Sequence, residues 1–596
     1  MIDCRVEPDD LHGHHYRVTL RVPLPAALQA FTLPVWIPGS YLVREFSRHL
    51  MGLQALQGGR PLPVEQLAKS RWQVRCSGRA ALTLRYRVYA FDPSVRAAFL
   101  DAQRGFFNGT SLFLRLEGRA DEPHRLTLGR LPAGWSVATA MPPSAPAAAA
   151  PRAGPALRRF QAADYDELVD HPVAIGRFWR GGFEAGGVPH ELVVGGAWPM
   201  LDGPRLLADV QRICERQQAF WHGTASVAGP RGASPFDRYV FLLWAAEDGQ
   251  GGLEHRASSA LLAPRRDLPV AGVAPQGDGY LRLLGLISHE YFHAWNVKRL
   301  KPAELAAIDY GRENHTRLLW FFEGFTSYYD DLMLRRAGLV DDAQYLRLLA
   351  RNVDAVAATP GRLQHSLEDA SFEAWTKFYR SDENTPNTTV SYYAKGALVA
   401  LALDLSLRRH GRSLDALMRA LWSASGGGPI AQADIGSALR ALAGSRHGAA
   451  LDRELLGWVR GTAELPLAEL LDGVGVRWHD EPPALAAGLG LRLSEGAFSG
   501  VQVRSVLAGG AAMHAGVSAG DELLAVDGWR IRRLDDALGW VGRGKPFDLL
   551  LVRDQRLLRL RLQPGAAPTL PGSVQLRLQD KPAAAVLACR RAWLDG

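Results

Sequence analysis

Apolar and polar residues alternate along the first 160 or so positions. Arg17 to Val22 alternates, Leu82 to Ala90 (LTLRYRVYA) alternates almost without a break, and Leu33 to Ile37 is a short apolar run. A period of two puts successive side chains on opposite faces, so these runs predict strands. The turn residues between them point to an antiparallel β-sandwich. From about residue 175 the period changes. Pro204 to Trp221 has helical spacing, and Tyr239 to Ala246 is an apolar strand. Helices are expected over Tyr280–Leu300, His315–Ala337, Asp342–Thr359, Tyr393–His410 and Ser413–Ser423, until Gly426-Gly427-Gly428-Pro429 breaks the run. Short strands return near residue 480, at Gly488–Leu493 and Val501–Val506, and Ala583 to Trp593 reads as a short terminal helix. Residues 142–157 are rich in proline and alanine, and the prolines exclude a long helix, so a loop or linker is expected there.

Composition narrows the class. The chain has 596 residues, which suggests roughly four domain-sized units. Hydrophobic residues make up 47% and charged residues 22%, the balance of a globular protein rather than a disordered or fibrous one. No apolar run approaches the roughly 18 residues needed to span a bilayer, so no membrane span is expected. The net charge is +8, but its arginines are scattered, and without a basic stripe no nucleic-acid partner is expected. Cys4, Cys76, Cys214 and Cys589 are too widely spaced for a disulfide framework or a thiolate metal site. The start, Met1-Ile2-Asp3-Cys4-Arg5, shows no signal peptide, which points to the cytoplasm, with a periplasmic location as the alternative.

Chemistry concentrates at His289-Glu290-Tyr291-Phe292-His293, an H-E-x-x-H motif within an apolar-periodic helix. A spacing of four places both imidazoles on one helical face, one turn apart, where they can share a metal. Glu290 lies beside them, placed to take a proton from the water that a metal activates. Such a site needs a third protein ligand, and the candidates downstream are Glu304, Glu313, His315 and Glu323. The position six residues beyond His293 is Arg299, which excludes the metzincin pattern. Glu323 sits inside the strongly apolar segment Leu319 to Tyr329, where an unpartnered carboxylate is costly and metal ligation would supply a partner. Glu313 and His315 lie in a polar stretch.

These motifs form a recognisable set. H-E-x-x-H, followed by W-x-x-E-G-F-T-x-Y-Y, resembles the gluzincin metallopeptidases. Gly251-Gly252-Leu253-Glu254-His255 upstream, Tyr393-Ala394-Lys395-Gly396 downstream and the N-terminal W-I-P-G-S-Y-L-V-R-E-F resemble the glycyl aminopeptidase family. The histidine-to-glutamate interval, residues 294–322, is longer than in the better-known gluzincins, whose spacing would fall on Arg312, beside Glu313. Glu323 is preferred because its surrounding motif travels with it, and Glu313 stays as the rival. The resemblance implies one Zn²⁺ per chain on His289, His293 and Glu323, with Glu290 as general base. It implies that Tyr393 hydrogen-bonds the oxyanion and that Glu254 pairs with the substrate's free α-ammonium. Gly251 and Gly252 would let the peptide backbone lie against the strand. The implied activity is removal of small N-terminal residues, glycine or alanine, from peptides.

The segment Ala515-Gly-Val-Ser-Ala-Gly-Asp-Glu-Leu-Leu-Ala-Val-Asp-Gly528 looks like a PDZ domain of the bacterial protease-associated type. In such domains the loop at Gly488-Leu489-Gly490-Leu491 offers backbone N–H groups to the carboxylate of a peptide tail. The expected class is therefore a multidomain α+β protein. It comprises a β-sandwich over 1–172, a thermolysin-like zinc catalytic domain over 173–340, a helical domain over 341–474, a PDZ domain over 475–566 and a tail over 567–596. The rival readings are a PDZ-assisted zinc endopeptidase or oligopeptidase, and a non-catalytic PDZ scaffold. The oligomeric state is not legible in the sequence.

Overall fold

The structure is a computed structural model that describes all residues except 145–157, 224–233, 274–276, 497–498, 543 and 565–570. Most of the expected linker over 142–157 lies outside the described residues. The chain forms two compact units, Met1–Asn314 and His315–Gly596. The segment expected as one catalytic domain, 173–340, is thus divided between them.

The first unit begins with a seven-stranded sheet. Its centre is Ile2–Asp10, His15–Val22, Leu82–Tyr89 and Leu50–Gln57, and the expected alternation over Leu82 to Ala90 is seen as buried and exposed positions in turn. The buried face packs on a four-stranded sheet through Val18, Leu20, Leu84 and Tyr86 against Phe31 and Trp72, which gives the expected sandwich. Leu33 to Ile37 is not a strand. The strand ends at Thr32, and the apolar residues that follow are buried as irregular chain, held where Trp36 Nε1 donates to the Asp309 carbonyl at 2.9 Å. A second four-stranded sheet carries Ser136–Ala138, Val173–Gly176, Arg104–Phe107 and Ala98–Leu100.

A five-stranded sheet follows, in the order Trp179–Ala185, Val188–Gly195, Tyr239–Ala246, Ser258–Pro264, Gly251–Glu254. The middle three strands are parallel and nearly all apolar, as strands covered on both faces must be. Helices Gly203–His222 and Asp278–Phe292 accompany it. The latter was expected to run to Leu300 but stops at Phe292. His293 to Leu300 folds into a turn instead, with Lys298 N–H donating to the His293 carbonyl (3.0 Å) and Leu300 N–H to that of Trp295 (2.9 Å). Val297 adopts φ 127°, rare for a β-branched residue, while Trp295 and Leu300 on either side of it are fully buried.

In the second unit, helices Leu319–Arg336 and Tyr392–Arg408 form the centre. Both are apolar nearly all round, as helices enclosed by others are. Asp342–Ala357, Leu414–Ser425 and Ser445–Arg460 are also helical. A further β module has the strand order Leu491–Gly496, Gly500–Val506, Glu522–Val526, Phe547–Arg553, Arg556–Leu562. The terminal helix, Ala584–Asp595, buries Trp593, whose Nε1 donates to Tyr328 Oη at 3.0 Å. Among the described residues no helix is long and apolar enough to cross a membrane.

Candidate active site

The helix Asp278–Phe292 is fixed from behind before it presents any chemistry. Gln217 Nε2 donates to the Ser288 carbonyl at 2.8 Å and to its hydroxyl at 2.9 Å. The Tyr291 hydroxyl contacts His190 Nε2 at 2.8 Å and accepts from Gln218 Nε2 at 3.0 Å. Ser288 and Tyr291 therefore lock the residues on either side of the motif's first two positions in rotation.

On the other face, His289 Nε2 and His293 Nε2 lie 3.0 Å apart. His293 Nδ1 sits 2.7 Å from the Asn296 carbonyl. A carbonyl can only accept, so Nδ1 carries the proton and the Nε2 lone pair faces His289. The turn that ends the helix early thus sets the tautomer of the second histidine.

Glu254 and Glu290 are both buried, at 5% exposure, and a ligand atom from each lies within 4.8 Å of one from His293. Two buried carboxylates this close repel unless a cation or proton lies among them. Two imidazole nitrogens with carboxylate oxygens are a donor set that suits Zn²⁺. The residues of the first unit therefore fit a metal.

Glu254 ends the edge strand Gly251–Glu254. A Cβ on Gly252 would meet Glu290 Oε1 at 1.9 Å, so only glycine lets the strand approach the base this closely. A Cβ on Gly251 would meet only the Arg96 guanidinium, at 3.2 Å, and Arg96 Nη2 donates to the Gly252 carbonyl at 3.3 Å. Gly39, at φ 92° in the W-I-P-G-S-Y turn, seats the Glu254 carboxylate, since a Cβ there would meet Oε1 at 2.4 Å. A cleft opens beside Glu254, lined among others by Trp36, Tyr41, Lys298 and Lys301. His255 has a structural place: its Nδ1 lies 3.5 Å from Asp170, which also pairs with Lys298 at 2.7 Å. Lys298 and the hydrogen bond from His255 hold the Asp170 carboxyl well below the usual range despite its burial.

Glu323, in the second unit, is 2% exposed; its rivals Glu304 and Glu313 at the end of the first unit, and His315 at the start of the second, are exposed. His315 Nδ1 is bonded to the Phe372 carbonyl at 2.9 Å. The helices bearing Glu323 and Tyr393 cross at Gly324 and Gly396, where a Cβ on Gly324 would lie 2.5 Å from the Gly396 Cα. Burial, then the charge of Glu323, push the Tyr393 hydroxyl well above its ordinary pKa, so it stays a neutral donor. Tyr379 Oη is 3.3 Å from Tyr393 Oη.

The β module's loop is tighter than expected. Leu485–Leu489 is helical, Gly490 caps it at φ 80°, and the N–H groups of Gly488 and Gly490 donate to the Ala484 and Ala487 carbonyls. Leu489 and Leu491 are buried in that module's core.

Asp170, Lys298, Arg96 and Tyr379 were not legible as site residues. Arg96 and Asp170 are far in sequence from the Gly251–His255 segment they contact, and Lys298 and Tyr379, though nearer their motifs, carry no pattern of their own.

Residues 3–177 match the Peptidase M61 N-terminal domain, residues 282–399 the M61 glycyl aminopeptidase model, and residues 502–553 a PDZ domain. An aminopeptidase N family protein from Idiomarina loihiensis is 36% identical, with 100% of both chains covered and a TM-score of 0.90. The chain belongs to the M61 glycyl aminopeptidase family. As a member of that family it is a zinc metallopeptidase of the aminopeptidase type. The M61 match spans His289, Glu290, His293, Glu323 and Tyr393, and Glu254 lies outside it. An M1 zinc metallopeptidase from Deinococcus radiodurans is 15% identical, with 78% of this chain and 94% of its own covered and a TM-score of 0.47. Native yeast LTA4 hydrolase is 13% identical, with coverages of 79% and 70% and a TM-score of 0.45. No curated protein matches the chain.

Proposed function

We propose that this M61 glycyl aminopeptidase removes small N-terminal residues, glycine or alanine, from peptides, using one zinc ion held by His289, His293 and Glu323. When bound, zinc polarises the scissile carbonyl and lowers the pKa of water. The chain's own residues do the rest. Glu290 accepts the proton and passes it to the leaving amine. Tyr393, a neutral phenol at neutral pH, donates to the oxyanion. Glu254 pairs with the α-ammonium and so sets the register at the first peptide bond. Gly251 and Gly252 let the substrate backbone approach the edge strand.

The observation that carries this reading is the convergence of Glu254 and Glu290 on His293. A base and an amine-binding carboxylate with oxygens within 4.8 Å of each other restrict attack to the bond next to the bound amine. A panel of aminoacyl and N-acetyl-aminoacyl chromogenic substrates, run with and without a zinc chelator, tests it. Chelator-sensitive cleavage of free glycyl and alanyl substrates is expected; faster cleavage of the N-blocked set would favour the endopeptidase reading. Under the same reading the PDZ module receives peptide tails at Gly488-Leu489-Gly490-Leu491 through whichever donors its short helix leaves available.

A further inference from the structure

A second cleft lies on the far side of the five-stranded sheet from the histidine helix. Along Gly251–Glu254, Gly252 faces Glu290, while Leu253 points the other way and packs with Ile37, Val95, Phe106 and Leu242. Where this layer opens, a narrow cleft is lined by Val95, Arg104, Phe106, Phe178, Trp244 and Leu262, among others. Its wall is mostly apolar, as the linings of small-molecule sites are, with Ser94 an uncharged polar residue among them.

Arg104 is the charged exception. It is 7% exposed, and its guanidinium is sandwiched 4.1 Å from the Phe99 ring and 4.0 Å from the Trp244 ring. Its side chain makes no hydrogen bond or ion pair among the described residues. Asp101 attracts it from a distance, but the Asp101 carboxylate accepts the backbone N–H groups of Gln103 (2.7 Å) and Arg104 (2.8 Å) instead. Burial lowers the guanidinium only to about 10, so it is charged at neutral pH. The two rings fix the plane of the guanidinium, and a planar fork of N–H donors with no acceptor suits a carboxylate bidentately.

We propose that this cleft binds a medium-chain aliphatic monocarboxylate, its head on Arg104 and its chain between Phe178, Trp244 and Leu262. The apolar wall selects the chain, and the single buried cation selects the head.

Isothermal titration of the full-length protein with sodium octanoate tests this without any readout of peptidase activity. Saturable binding is expected, with 1-octanol bound at least about tenfold more weakly because it lacks the charged head. Arg104→Met should weaken octanoate by a similar factor, Arg104→Lys should weaken it less, and Leu262→Trp should fill the cleft and remove binding. Circular dichroism and thermal unfolding check that each variant is folded. The proposal is overturned if octanoate does not bind, if octanol binds equally well, or if a folded Arg104→Met or Leu262→Trp variant binds as wild type does. It is also overturned if a peptide with a C-terminal leucine binds this cleft and octanoate does not.

Discussion

A Cβ on Gly396 would lie 2.6 Å from the Trp320 carbonyl oxygen and 2.9 Å from the Gly324 Cα, so the helices of Glu323 and Tyr393 touch backbone to backbone. The glycines of E-G-F-T and Y-A-K-G are therefore one device. Gly324 follows Glu323 and Gly396 lies about one turn after Tyr393, and together they set the distance between the two helices. Gly396→Ala is expected to push the helices apart, at a cost of about 1–3 kcal/mol, and to lower activity further than stability alone explains. Thermal unfolding and steady-state kinetics on glycyl-p-nitroanilide would show both effects. A variant with wild-type melting and turnover would mean the crossing does not position the site.

The two glycines of the edge strand should behave differently. Gly252→Ala puts a methyl group on the Glu290 carboxylate and should abolish turnover. Gly251→Ala meets only the end of the flexible Arg96 side chain and should keep activity within a few-fold. Equal losses from both would show that the strand's flexibility, rather than its closeness to Glu290, is what the glycines provide.

Glu254→Ala should reduce kcat/KM for free-amine substrates by about 100-fold or more, the effect of removing a buried charged partner. N-acetylated substrates should change far less. Parallel losses would indicate that Glu254 shapes the fold of the site and does not read the amine.

Much of this was legible from residue order, and the failures have physical causes. The four-residue histidine spacing and the carboxylate within an apolar helix are local signals, so His289, Glu290, His293 and Glu323 could be singled out directly. The early stop of the histidine helix could not, because LRLLGLISHEYFHAWNV stays helical in its apolar period. The stop depends on burying Trp295 and Leu300 and on the Asn296 carbonyl meeting His293. Leu33 to Ile37 misled for a related reason: an apolar run is buried whether or not it pairs as a strand. Gly39 against Glu254 and Arg104 against Trp244 join residues more than a hundred positions apart, and no local pattern encodes such pairs.

Acid should weaken the fold through His190. Burial lowers its imidazole to about 4, and it is bonded to Tyr291 behind the metal helix. An unfolded chain takes up that proton near pH 6.5, and the folded one does not until about pH 4. The stabilisation is complete above pH 6.5 and declines as pH falls through that window, by about 2 kcal/mol at pH 5. His124 and His222, also lowered to about 4, act in the same direction. Denaturant midpoints at pH 7 and pH 5 should fall less in His190→Gln than in wild type; an identical fall would remove His190 as a cause.

The central claim is that His289, His293 and Glu323 hold one zinc ion. Its most direct test is metal content by mass spectrometry after exhaustive dialysis of wild type, Glu323→Ala and Glu313→Ala. One zinc per chain is expected in wild type and in Glu313→Ala, and close to none in Glu323→Ala. A full equivalent of zinc retained by folded Glu323→Ala, or lost from Glu313→Ala, would contradict it.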